Sequence, residues 1–184
     1  MPRVAPSHDV LEKSIDGFVY CLEQLFSYIH WEDHIKSNLR KHCKEEIDAK
    51  KAQIVENITI EGTLLFFRKV NEFFRDRPPK DEESDDLRAY DFPGYSGAGW
   101  IFFSEERTEI NKHVAHVTTR GATDGKVDWK IFEGIEKICQ KAFPFLDYLT
   151  EDFLKDNPEK SEALKRKKAL LSEYRNLNIQ FIKK

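Results

Sequence analysis

The sequence predicts an all-α fold: a single-domain bundle of four to five helices with one long aromatic-rich loop over about residues 77–103. Three observations carry this. Apolar residues recur at spacings of three and four through most of the chain, no segment shows the alternation of a half-buried strand, and the breaks fall at Pro-Pro, Gly and Asn-Pro sites that stop or start helices. The 184 residues are enough for one core, so 1–184 is read as one helical domain.

A first amphipathic helix is expected over about 9–31, with Phe18, Leu22, Leu25 and Ile29 as its stripe. Asp9 is the expected N-cap and Glu12 its capping-box partner. A second helix is expected over about 32–49, marked by Ile35, Leu39 and Ile47. The segment 50–75 reads as the core helix. Ile54, Ile58, Leu65 and Phe73 mark its inner side, widened by Leu64, Phe66, Phe67 and Phe74. Gly62 weakens it by about 1 kcal/mol relative to Ala, or marks a close helix–helix approach.

Pro78-Pro79 stops that helix, and the aperiodic stretch that follows carries an acidic run from Asp81 to Asp86. Tyr90, Phe92, Tyr95 and Trp100 predict a loop packed over the bundle. Ser104 is the expected N-cap of the next helix, with Glu105 and Glu106 in its first turn and Gly121 at its end. A further helix from Asp128 to about Leu149 uses Ile131, Ile135, Ile138 and Phe145, and Pro144 is expected to kink or break it. Asn157-Pro158 opens a last helix over about 159–176.

Composition narrows the function classes. A net charge of −3 and a pI near 6.1 argue against a generally basic nucleic-acid binder. Three cysteines, an odd number, argue for reduced thiols and a cytoplasmic location, with Cys21 and Cys139 as small core residues. No run approaches the roughly 18 apolar residues of a membrane span, and no leader-like apolar segment follows Arg3, so no membrane partner is expected.

The densest chemistry lies in Ile110-Asn111-Lys112-His113-Val114-Ala115-His116-Val117-Thr118-Thr119-Arg120, with Arg107 one turn ahead. Offsets of three and four put His113, His116 and Arg120 on one helical face, shared with Glu109. With Asn111, Lys112 and the core-helix Arg68, they form a candidate anion site. Arginines hold phosphate through paired N–H donors, and histidine moves a proton near neutral pH. The other reading is a polar seam, with His116 hydrogen-bonded to Glu61 or Asp91 and holding helix register. His30-Trp31-Glu32-Asp33-His34 approaches a zinc pattern, followed by His42 and Cys43, but the glutamate is misplaced and no metal or other cofactor is expected. The lysine-rich run Lys160, Lys165, Arg166, Lys167 and Lys168 is read as a solvated face, neutralised by Glu159, Glu162 and Glu173.

Three blocks over about 56–149 carry a family resemblance: Glu61 to Phe74, Asp85-Asp86-Leu87-Arg88-Ala89-Tyr90-Asp91-Phe92 with Trp100 following, and Ile110 to Arg120. They resemble the HEPN superfamily (higher eukaryote and prokaryote nucleotide-binding), in a bacterial branch named for abortive infection. Phe66 stands where that family often has histidine, and Lys69 where it often has asparagine. The resemblance implies a helical bundle, frequently a homodimer, associated with RNA or a nucleotide in phage defence or a toxin–antitoxin pair. HEPN ribonucleases share an Arg-x4–6-His motif that cleaves RNA without metal. Arg107 and His113 fit that spacing, and His116 is the family-aligned histidine. This makes Arg107, His113 and His116 the candidate catalytic residues. The alternative is a non-catalytic helical interaction or dimerisation module in which the histidines are structural.

Overall fold

A computed structural model describes residues 5–31, 46–76, 86–102, 105–108, 110 and 130–182. Helix α1 (His8–His30) starts two residues earlier than Asp9 would set it. Ser7 is extended and its Oγ accepts the Val10 N–H at 3.4 Å, so Ser7 is the cap. Asp9 sits in the first turn and pairs with Lys13 at 2.7 Å, while Glu12 reaches another helix instead of closing a capping box. Phe18, Leu22, Leu25 and Ile29 are buried as the stripe predicts.

Helix α2 (Glu46–Phe73) corrects the expected inner face. Leu64, Phe67, Val70 and, just beyond the helix, Phe74 are buried, whereas Ile54 is 58% exposed, Ile58 63% and Leu65 38%. At 100° per residue the buried set points about 165° away from the exposed set. Both faces are apolar, and the neighbouring helices take the one carrying the phenylalanines. Gly62 is not a close approach either, since an added Cβ would meet nothing within 4 Å.

Helix α3 (Ile131–Tyr148) buries Ile131, Ile135, Ile138 and Phe145. Pro144 does not end it. The ring lies on the exposed side, and the irregularity comes five residues later as a π-turn, Leu149–Phe153, where Leu154 N–H bonds Leu149 C=O at 2.9 Å. Helix α4 (Pro158–Ile182) opens at Asn157, whose Oδ1 accepts the Lys160 N–H at 3.2 Å. It runs past the expected end near 176 because its last turns still pack: Asn178 is buried and its amide donates to Phe132 C=O at 2.9 Å.

Ring contacts and ion pairs fix the helix directions. Phe18 meets Phe73 and Tyr20 meets Phe66, so α1 and α2 are antiparallel. Phe67 against Gly134 and Phe74 against Phe145 make α2 and α3 parallel. Glu136–Arg175 and Asp147–Lys168 make α3 and α4 antiparallel. The parallel pair needs a long crossover, which is why so much chain separates α2 from α3. The described part of that crossover, 86–102, lies on the bundle as expected. Phe92 is 5.1 Å and Tyr95 4.8 Å from the Phe145 ring centroid, and the Tyr148 hydroxyl donates to Pro93 C=O at 2.7 Å. Among the described residues there is no strand, and no helix is long and apolar enough to cross a membrane.

Candidate functional site: a basic groove around Trp100

Where α2 runs beside α1, its polar residues Arg68, Lys69 and Glu72 recur at helical spacing next to Phe73. They form one wall of an open groove of about 960 Å³. Phe18 and Cys21 of α1 form another wall, and Leu87, Arg88, Trp100 and Arg107 of the crossover close it.

Asn71 sets the position of the crossover wall. It is buried on α2, and its Oδ1 accepts the N–H groups of Ile101 at 2.9 Å and Phe102 at 3.0 Å. Gly99, at φ 147°, brings its N–H to within 2.6 Å of Phe74 C=O, a conformation that favours glycine. Trp100 is thereby held at the rim with the Arg107 guanidinium 4.5 Å and the Arg75 guanidinium 5.3 Å from its ring. The helical turn carrying Arg107 is tied to α3 by the Glu106–Lys137 ion pair.

The cations of the groove divide into two kinds. Arg88 is a staple: its guanidinium donates to Glu72 C=O at 2.6 Å and Asp86 Oδ2 at 2.9 Å. Arg75 lies 3.6 Å from Glu72. Among the described residues, Arg68, Lys69 and Arg107 have no carboxylate within ion-pair distance; Lys69 instead sits 5.1 Å over the Phe66 ring. Three uncompensated cations beside an indole face suit a ligand with both phosphate and an aromatic ring. Cys21 faces the groove and is only half-buried, not the core residue its helix face suggested. Burial pushes its thiol up, opposed by the charge of Lys69, which works against thiolate formation. Cys139 is buried as expected.

Of the residues selected from sequence, Arg68 and Arg107 are brought into one groove. His113, His116, Asn111, Lys112 and Arg120 lie outside the described residues, as do Ser104, His34, His42 and Cys43. The other ends of the polar-seam reading are described. Glu61 is exposed, and Asp91 Oδ2 accepts the Arg88 N–H at 2.8 Å. Sequence reasoning did not assign Lys69, Arg75, Arg88 and Trp100 to a site. The recurrence of polar residues at 68, 69, 72 and 75 beside an apolar face was the available signal. Of the lysine-rich run, Lys160 pairs with Glu12, Lys167 with Glu23 and Lys168 with Asp147, all on other helices, while Arg166 pairs with Glu162 of its own helix.

Compared with protein-family models, curated proteins and solved structures, the chain matches none.

Proposed function

We infer that this is an RNA- or nucleotide-associated helical protein, of phage-defence or toxin–antitoxin type, that takes its ligand in the Trp100 groove. One observation carries the reading: Arg68 and Arg107, selected from sequence, line the same groove with Lys69, and none of the three has a carboxylate partner among the described residues. Guanidinium forks would hold phosphate oxygens, and the Trp100 face would receive a base in exchange for one of its arginine neighbours. If the protein is also a metal-independent ribonuclease, Arg107 supplies the charge that steadies the phosphate, and His113 or His116 moves the proton.

The test is fluorescence anisotropy of a short labelled single-stranded RNA, with a mononucleotide as competitor. Three phosphate contacts predict a log–log salt slope of about −2, and removing the charge at Arg68, Lys69 or Arg107 lowers it by about 0.7 each. Wild-type protein that ignores RNA and nucleotide at low salt, or charge-removed variants that bind equally well, would refute the reading. Cleavage is assayed in chelator with His113→Ala and His116→Ala beside the wild type. Equal cleavage by all three refutes the catalytic part alone.

A further inference from the structure

Two carboxylates line the Trp100 groove, where either one repels a phosphate. Asp86 is mostly solvated and takes an Arg88 N–H at 2.9 Å. Glu72 is different. Its Oε2 lies 3.6 Å from Arg75 and 3.9 Å from Arg88, both too long for a hydrogen bond, and among the described residues its carboxylate accepts none. Arg75 shows what those unused acceptors suit. Its guanidinium lies 5.3 Å from the Trp100 ring centroid, and its NH1 is the group nearest Glu72. Its Nε–H is buried with no hydrogen-bond partner. A flat guanidine group thus sits over an indole and beside a carboxylate, held by no hydrogen bond among the described residues.

Guanine carries the same group. Its C2 joins N1–H, the N2 amino group and N3 in one plane, and N1–H and N2–H leave the ring edge side by side. No other common RNA base has two adjacent donors on its Watson–Crick edge. Adenine and cytosine set an amino group beside a ring-nitrogen acceptor, and uracil sets an N–H between two carbonyls, so a carboxylate meets an acceptor in each. We propose, resting on the nucleotide reading of this groove, that Trp100 and Glu72 form a guanine-selective base pocket and that Arg75 holds the place of the base. Guanine stacks on Trp100 as Arg75 swings out to water, where its Nε–H gains a partner, and N1–H and N2–H donate to the Glu72 carboxylate. Arg88 stays behind as the counter-charge, buried and bonded to Glu72 C=O at 2.6 Å. Arg68, Lys69 and Arg107 are left for phosphate.

Titration calorimetry of the full chain with GMP, IMP and AMP tests this. The three share ribose and phosphate, so their affinity ratios report the base alone. GMP is expected to bind about tenfold or more tightly than AMP, the discrimination of a bidentate base contact. IMP keeps N1–H but lacks the N2 amino group, and is expected to fall between them. Glu72→Gln is expected to bring the GMP to AMP ratio near one, whereas a purely structural loss would weaken both and leave the ratio. Arg75→Met clears the indole and is expected to keep the preference. Equal binding of all three nucleotides overturns the base pocket and leaves the nucleotide reading standing, while no binding of any overturns both. A preference that survives Glu72→Gln overturns the proposal. So does one that vanishes in Arg75→Met, since an arginine would then be reading guanine O6 and N7. Should Glu72→Gln fail to fold, the wild type alone decides, because equal affinity for GMP and IMP also overturns it.

Discussion

Asn71 Oδ1 accepts the backbone N–H of Ile101 at 2.9 Å and that of Phe102 at 3.0 Å, bridging thirty positions of sequence with one buried side chain. Both donor residues are themselves buried, so neither N–H can turn to water. Asn71→Ala is expected to leave two N–H groups unsatisfied and to cost about 2–4 kcal/mol. Because the same bonds hold Trp100 at the groove rim, the proposed function adds a second expectation, that any RNA binding weakens below the variant's unfolding midpoint. Urea unfolding and anisotropy on the same preparation check both. A variant as stable as wild type removes Asn71 from the account of how the crossover is placed.

Gly134 is where α3 meets α2. An added Cβ would come within 2.7 Å of Phe67 Cζ, and that ring is pinned by stacking on Phe102 at 5.3 Å. Gly134→Ala gains about 1 kcal/mol of helix propensity but meets an overpacking cost of about 1–3 kcal/mol, so a net loss is expected. Phe67→Leu in the same chain should recover part of it. A Gly134→Ala protein more stable than wild type would show that the two helices can move apart freely.

The contrast between these glycines shows what the sequence could convey. Helix positions were legible because Phe18, Leu22, Leu25 and Ile29, or Ile131, Ile135 and Ile138, repeat on one face only. In α2 both faces are apolar, so periodicity located the helix but could not say which side turns inward, and Ile54 and Ile58 went to the wrong side. Gly62 and Gly134 look alike in one dimension, and only the packing of Phe67 separates them. Arg68 and Arg107 were legible as cations, but their meeting depends on Asn71 and Gly99, whose hydrogen bonds span the crossover.

Arg88 tests the staple directly. It is buried, and it holds Glu72 C=O and Asp86 while its own N–H bonds Asp91. A lysine offers a point charge where the site uses a planar fork, so Arg88→Lys is expected to lose about 1–2 kcal/mol. Asp86 is mostly solvated, so the loss comes chiefly from the Glu72 carbonyl and from packing. Faster hydrogen exchange at the Asp91 and Phe92 amides, which close the short 3-10 turn Ala89–Asp91, is the local signature. Unchanged exchange there would show that the turn holds itself.

Cys139 predicts a pH dependence. Burial pushes its thiol from 9.0 up to about 12, with Glu136 adding to the rise and Arg175 opposing it. A folded-state value above the unfolded one means that the folded protein keeps the proton more tightly. The contribution is therefore complete below pH 9 and is lost as pH rises from 9 towards about 12. Burial raises the Tyr95 hydroxyl from 10.0 to about 12 as well, which steepens the decline in any chain that keeps it. Cys139→Ala loses packing at every pH, so the informative quantity is the stability difference between wild type and variant. That difference should be flat to about pH 9 and then shrink by roughly 1.4 kcal/mol per pH unit. Urea midpoints between pH 7 and 11 measure it. A difference that stays constant to pH 11 would mean that the thiolate is accommodated between α3 and α4, and that the Cys139 pocket opens well before the bundle does.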